Sequence, residues 1–476
     1  MQRILLFFVF LCLFLSLPVA AQEQEYIVRL EAPPVMLFSE GESPLKLLVP
    51  EENLYTVTES QLTQVEQMPG LVHIEPVQKL ILAEVPDEPL FFNQWNLPMV
   101  NMPDAWRWGL TGKGVRVGVI DSGAMADHPD LQNRIVQKYN YTNVGETDDV
   151  TDNDRHGTSV CGIIAAETEN ALGVAGMSSA DLVVLKVVNN DKGDTAGLVQ
   201  AIHDAVKNYD CDVINMSLGF VGESPEVQAA VKLALEKGVI VVSSVGNTTD
   251  GNGNAIRYPA GYDQVIGVAG VDSSKTHVSS SAVNESVDVC APGALVYTTL
   301  NNGAWGAEYS SGKKITGTSF AAPHVAGAAA VLKGIDPDLT SAEFQSLIET
   351  TSVDLGTEGY DTSYGFGLLD VKALTETVSR KKQALQLSRV FTDVDGGLYA
   401  DIRNYTGSPV SGTLFWGLYH KNRGNLIQLS VDEDFSLLEE GVRLNFGAVP
   451  AENTRAKVML LESLANLKPL CAFGYN

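Results

Sequence analysis

Four short segments of this chain carry residue types that together make a nucleophilic acyl-transfer site. They are Val119-Ile120-Asp121-Ser122-Gly123, His156-Gly157-Thr158, Ser244-Val245-Gly246-Asn247 and Gly317-Thr318-Ser319-Phe320-Ala321-Ala322-Pro323. In order they supply a carboxylate, an imidazole, a side-chain amide and a hydroxyl. A serine hydroxyl is a weak nucleophile at neutral pH and needs a base beside it. A carboxylate orients that base and stabilises its cation, and an amide N–H binds the oxyanion of a tetrahedral intermediate. Taken alone, Ser319 ahead of a run of small apolar residues is an N-cap serine with no chemistry. The other three segments turn it into a candidate nucleophile at a helix N-terminus, where free N–H groups favour developing negative charge.

Among the seven histidines, His156 is the expected base, because the small-residue helix expected over Val160–Ala166 holds its ring. His324 lies five positions after Ser319 on the same helix, faces elsewhere and is read as structural, as is His128 in the turn His128-Pro129-Asp130-Leu131. Asp121 ends an apolar strand, where a charge needs a reason. The neighbouring Asp148, Asp149, Asp152 and Asp154 sit in a polar loop and are expected to be solvated, with Asp154 near enough to touch His156. Gly246 lets the backbone approach a ligand closely.

The elements that must position these groups alternate in type. Apolar runs at Val115–Ile120, Leu182–Val188, Asp212–Met216, Val239–Ser243 and Val265–Val271 read as buried parallel strands, with helical patterns at Ala196–Asn208 and Pro225–Lys237, the latter stopped by Gly238. The alternation predicts an α/β domain over residues 89–380, with a mainly parallel sheet flanked by helices. In such sheets the site lies beyond the carboxyl ends of the strands, where Asp121 and Asn247 fall.

Residues 22–88 read as a small α+β unit: a strand at Tyr26–Leu30, a helical pattern at Glu59–Met68, a Pro69-Gly70 turn and a strand at Leu71–Ile74. The acidic, proline-bearing Glu84–Pro89 reads as a linker and cleavage zone. Residues 385–476 carry short alternating segments at Ala400–Arg403, Gly412–Leu418, Ile427–Val431, Arg443–Phe446 and Lys457–Leu461, which predicts an all-β sandwich with no motif for chemistry. Arg3, the apolar run Ile4–Leu17, Pro18 and Val19-Ala20-Ala21 read as a secretory signal over residues 1–21, and no other segment is apolar enough to span a membrane. The net charge of −26 argues against a nucleic-acid partner, which needs a basic footprint. Of the five cysteines, Cys12 leaves with the signal; Cys161, Cys211, Cys290 and Cys471 have no metal-ligand spacing, and three of them suit buried free thiols.

At these residues the chain resembles the subtilisin-like serine peptidases (subtilases) over roughly residues 90–378, most specifically in Gly317-Thr318-Ser319-Phe320-Ala321-Ala322-Pro323-His324-Val325-Ala326-Gly327. The resemblance implies a serine endopeptidase with Asp121, His156 and Ser319 as its triad and Asn247 as the oxyanion-hole amide. It implies that Asn215-Met216-Ser217-Leu218-Gly219 is the edge on which a peptide pairs, with Ser217, Leu218 and Gly219 lining the primary specificity pocket and Asp191–Thr195 forming the opposite edge. It further implies that residues 22–88 are an inhibitory pro-segment cut near Leu80–Pro89, and that the secreted product acts on proteins or peptides. No catalytic cofactor is implied. A structural Ca²⁺ site is, held by Gln94, Asp130, Asn170 and the carbonyls of Leu172 and Val174, although the loop Glu167–Gly176 runs about one residue longer than usual. Ser159 and Cys161 depart from the residues usual in the family. Competing readings are a silent peptide-binding protein on the same fold and a ligase that hands the acyl group to an amine. An unrelated esterase is disfavoured, because Ser319 lacks a Gly-x-Ser-x-Gly elbow.

Overall fold

The structure is a computed structural model. It describes residues 25–30, 46–49, 54–58, 65, 71–76, 88–382, 385–387, 391–392, 397–405, 410–420, 426–437, 442–448, 454–461 and 474–475. The expected signal 1–21, most of the expected linker, Cys12 and Cys471 lie outside these residues. The described residues fall into two compact units, those up to residue 82 and those after it.

The first unit is an antiparallel sheet of β1 (Glu25–Leu30), β2 (Lys46–Val49), β3 (Leu54–Thr58) and β4 (Leu71–Pro76) in the order β2-β3-β1-β4. Strand periodicity puts Tyr55 and Val57 on one face, where among the described residues they join Val28 and Val65 in a shared core. Of the helical pattern expected at Glu59–Met68, residue 65 alone is described, and it is helical.

The second unit is built on a seven-stranded sheet: β5 (Arg116–Asp121), β6 (Ile135–Asn140), β7 (Asp181–Lys186), β8 (Val213–Met216), β9 (Ile240–Ser244), β10 (Ile266–Val271) and β11 (Val289–Pro292), in the order β11-β10-β9-β8-β5-β7-β6. Every neighbouring pair is parallel. The helices are α1 (Gly157–Ala165), α2 (Thr195–Lys207), α3 (Pro225–Glu236), α4 (Thr318–Ile335), α5 (Ser341–Thr351) and α6 (Val371–Lys381). Both faces of the sheet are buried, which is why its strands read as continuous apolar runs. Val117, Val119, Leu182 and Val184 point into a core shared with α1, α4, α5 and α6. Ile120, Val183 and Leu185 alternate with them and point into a second core shared with α2 and α3. Each fully buried Val, Leu or Ile contributes roughly 1.5–3 kcal/mol relative to exposure.

From β5 the chain proceeds to β6 and β7 on one side and to β8 on the other, so the strand order reverses at β5. That reversal opens a crevice at the carboxyl end of β5, the place where such sheets bind ligands. Asp121 is its last residue.

Beyond α6 the chain turns to antiparallel pairing. Strands Leu385–Leu387, Phe391–Thr392, Gly397–Asn404 and Val442–Ala448 form one four-stranded sheet, and Val410–His420, Leu426–Leu437, Thr454–Leu461 and Gly474–Tyr475 another. All five alternating segments expected there lie within these strands.

Candidate active site

Asp121 sits at the switch point with its side chain almost wholly buried. Its Oδ1 accepts from His156 Nδ1 at 2.7 Å and from the Ser122 N–H at 2.7 Å. His156 is the residue that enters α1, and its half-buried ring lies 5.3 Å from that of Phe320, the residue after Ser319. Burial of the imidazole opposes its protonation, but the charge of Asp121 and the hydrogen bond to it prevail and raise the pKa.

Ser319 is the second residue of α4, not its cap; the cap position is Gly317, which makes no side-chain cap bond. The bland N-cap reading of Ser319 therefore fails, and its hydroxyl is left for other work. Gly317 has φ 148°, and a Cβ there would press on the Asn247 amide at 3.2–3.3 Å. That absence of a side chain lets Asn247, just beyond β9, come against the helix start, where its Oδ1 accepts the Thr318 N–H at 3.1 Å. The bond fixes the amide and leaves Nδ2 as its donor end.

Pro323 lies inside α4. It has no N–H, so the carbonyl of Ser319, four residues earlier, lacks its helical partner. Ser217 supplies one: its hydroxyl donates to the Ser319 carbonyl at 2.8 Å and accepts from Asn215 Nδ2 at 3.0 Å. The Ser217 side chain thus holds Ser319 and does not face a ligand. Leu218 and Gly219 do line a cleft of about 280 Å³ whose far wall includes Asp191, Gly193, Asp194 and Thr195, so the two expected edges meet. Asp194 is the N-cap of α2, its carboxylate accepting from the Gly197 N–H at 2.8 Å.

One expectation about the acidic loop is overturned. Asp152 is buried, not solvated. Its carboxylate accepts from Ser122 Oγ at 2.8 Å, from the Thr158 N–H at 2.9 Å and from Thr158 Oγ1 at 2.6 Å. It therefore ties the end of β5 to the first turn of α1 and occupies N–H capacity that His156 leaves uncapped. Burial raises its pKa against these hydrogen bonds. Asp154 accepts from the N–H groups of Asn190 and Asp191, not from His156. Lys186, paired in register with Asp121, is buried and donates to the carbonyls of Ser122 at 2.6 Å and Thr151 at 2.8 Å. The signal for it was present in the sequence: a lysine closing an otherwise apolar strand.

His324 is buried; its Nδ1 lies 2.9 Å from the Phe320 carbonyl and its Nε2 2.8 Å from Asn96 Nδ2, and burial lowers its pKa to about 4. His128 bridges the Ala304 carbonyl and the Asp130 N–H. Both are structural, as the sequence suggested. Cys161, Cys211 and Cys290 are free, buried thiols.

The residues expected to hold a cation do not fit one. Both Asp130 oxygens accept protein N–H groups, Oδ1 from Asn170 at 2.9 Å and Oδ2 from Val174 at 3.1 Å and the Trp305 indole at 2.6 Å. The Asn170 oxygen accepts from the Leu172 N–H at 2.8 Å, and the Gln94 oxygen from the Ala175 N–H at 2.8 Å. The four side-chain oxygens of the set thus face donors and not a common centre, whereas Ca²⁺ takes six to eight converging oxygens. Among the described residues no group of three or more His, Cys, Asp or Glu is placed to hold a metal.

Comparison with known proteins follows the same residues. The model of the subtilase family matches residues 112–367. Subtilisin DY of Bacillus licheniformis is 37% identical over 59% of this chain and 98% of its own length. The major intracellular serine protease of Bacillus subtilis is 36% identical over 60% of this chain and 91% of its own. The minor extracellular protease Epr of the same organism is 34% identical over 67% of this chain, but the match spans only 48% of Epr. A protease structure from Pseudoalteromonas arctica is 30% identical and superposes with a TM-score of 0.55 over 62% of this chain and all of that one. The chain belongs to the subtilase family of serine-type endopeptidases.

Proposed function

We propose that Ser319 is the nucleophile of a peptide-bond hydrolysis in which His156 is the general base, Asp121 orients it and Asn247 binds the oxyanion. The observation that carries this reading is the 2.7 Å Asp121–His156 pair at the sheet's switch point, packed against a helix start whose serine is freed from capping. His156 takes the Ser319 proton as Oγ attacks the carbonyl carbon, and the imidazolium so formed is stabilised by the buried carboxylate. The oxyanion is received by Asn247 Nδ2 and the Ser319 N–H, preorganised donors that need no reorganisation during the reaction. His156 then protonates the departing amine, and water repeats the sequence on the acyl-enzyme. The substrate lies extended between Ser217–Gly219 and Asp191–Thr195, adding a strand to the first of these.

Residues 89–380 are in this reading the catalytic domain and 385–476 an accessory β domain. Residues 22–88 are an inhibitory pro-segment removed near Leu80–Pro89, a reading supported by the acidic, proline-bearing stretch Glu84–Pro89 just after the boundary between the two units. Residues 1–21 direct secretion, a reading supported by Arg3 and the apolar run Ile4–Leu17, since the relatives include one protein named extracellular and one named intracellular.

The test is the intact mass of the expressed wild type beside Ser319→Ala. Loss of the segment up to about residue 85 from the wild type alone supports nucleophile, reaction and zymogen together. Retention by both sinks the pro-segment reading. Loss from both assigns the trimming to another protease and leaves Ser319 to be tested by active-site labelling.

A further inference from the structure

A buried arginine lies beside the candidate site and takes no part in the chemistry described. Arg257 is 2% exposed. It is carried there by a two-stranded antiparallel pairing in which Phe220 faces Tyr258 and Val221 faces Arg257. Phe220 directly follows the Ser217–Gly219 edge, so this pairing folds the segment after Asn247 back against that edge.

Two glycines record where the Arg257 stem lies. A Cβ on Gly219 would sit 3.2 Å from Arg257 Cβ. A Cβ on Gly246, which has φ 93°, would sit 2.5 Å from Arg257 Cγ and 3.1 Å from Nε. Gly219 ends the edge assigned above to the primary side-chain pocket, and Gly246 lies directly before Asn247, the proposed oxyanion amide. The stem therefore occupies the space between that edge and the Asn247 segment, where a side chain held at the attacked carbonyl would enter.

Every nitrogen of the head group has an acceptor. Asp250 accepts from Nε at 3.1 Å and from Nη2 at 2.6 and 2.8 Å. Nη1 donates to the Ala255 carbonyl, and Nη2 also reaches the Gly253 carbonyl at 3.2 Å and that of Asn247 at 3.5 Å. A bidentate carboxylate neutralises the charge, and carbonyls take further N–H groups. What the pocket meets is bulk, not an open positive charge.

We propose that Arg257 is a specificity-determining residue which fills the primary pocket, so that the residue contributing the attacked carbonyl must have a small side chain such as Gly, Ala or Ser. The inference rests on the assignment of Ser319 and of the Ser217–Gly219 edge made above.

The experiment is a peptide series varied only at that residue, cleaved by the mature full chain and read by mass spectrometry, with fluorophosphonate labelling of Ser319 alongside. Wild type is expected to favour Ala over Phe by at least about tenfold in kcat/KM, the scale on which pocket size discriminates. Arg257→Gly is expected to raise the Phe/Ala ratio by about tenfold or more. Arg257→Met keeps bulk without charge, also serves if the glycine variant fails to fold, and is expected to keep the wild-type ranking. Wild-type preference for Phe or Leu means the space is open and overturns the proposal. Preference for Glu means the guanidinium reads charge and overturns it equally, as does a Phe/Ala ratio unmoved in Arg257→Gly. Absence of labelling at Ser319 instead overturns the nucleophile assignment beneath it, so the two failures are distinguishable.

Discussion

The pair Asp121–His156 sets opposite demands on stability and activity. The pKa of His156 is raised, because Asp121 outweighs the opposing effect of burial. The charged pair therefore stabilises the fold fully below the unfolded value near 6.5 and loses that contribution as pH rises through the folded value. The proposed general base must be neutral to act, so activity is expected on the other side of the same titration. We expect the acid limb of kcat/KM to lie above pH 6.5, measured with a small peptide substrate. Asp152 adds negative charge that also raises the His156 pKa. Asp152→Asn should move the limb to lower pH, and a profile that stays in place would show that Asp152 acts only as a structural tie. Ser217 offers a second test at this scale. Its hydroxyl is the partner of a carbonyl orphaned by Pro323, so Ser217→Ala leaves a backbone acceptor unpaired beside the proposed nucleophile. That costs about 1–3 kcal/mol, visible in thermal melts, and kcat should fall more than KM changes because Ser319 and not the substrate is displaced.

At the scale of elements, what the sequence made legible follows from burial. Strands covered on both faces read as apolar runs, so five of the seven sheet strands were expected, each displaced by no more than two residues. The edge strand Ile135–Asn140 was not, because its burial pattern is half exposed and its polar residues mask it. Val289–Pro292 is short and ends in a proline, which argues against a strand when neighbours are unseen. The four chemical segments stood out because each places a functional group at the edge of an expected strand or helix. The roles of Asp152 and Arg257 and the misfit of the cation set did not, because they depend on which hydrogen-bond partners the fold brings together, whether near in the chain or far along it. Trp305, 175 residues from Asp130, is the clearest case. Its indole N–H joins a buried carboxylate to the loop before α4, taking an oxygen that a cation would need. Trp305→Phe should lower stability by about 1–3 kcal/mol, the cost of leaving a buried charged acceptor short of a donor. EDTA should leave the melting temperature of the wild type within about 2 °C, since at Tm a shift of that size in a domain this large corresponds to well under the several kcal/mol of a tight site. A large calcium-dependent rise in melting temperature would restore the cation to this loop.

For the whole molecule, the question is what the antiparallel strands after α6, the proposed accessory domain, contribute. Its described strand Gly397–Asn404 meets the α/β body through a compact polar and aromatic contact. Arg403 donates to Glu376 on α6 at 3.0 Å, and its guanidinium lies 4.0 Å over the ring of Trp108. Arg107 pairs with Asp401, and Arg380 lies 4.7 Å over the Tyr405 ring. Ile402 is fully buried, and Trp108 is only 7% exposed. A planar guanidinium stacked on an aromatic face while bonded to a carboxylate is a position that lysine cannot replace, because an ammonium neither stacks nor presents a fork. Glu376 lies in the middle of α6 and Trp108 precedes β5, away from the carboxyl ends of β5 and β9 where the proposed catalytic groups gather, so the contact should bear on stability before chemistry. Arg403→Lys should destabilise the full chain by about 1–2 kcal/mol, the order expected for a partly buried cation–π contact. It should also shift Trp108 emission to longer wavelength as water reaches the indole, while kcat/KM at 25 °C keeps its wild-type pH profile. If instead the profile moves or the rate collapses with Trp108 emission unchanged, the β domain is coupled to the catalytic groups through α6 and is part of the enzyme's working structure.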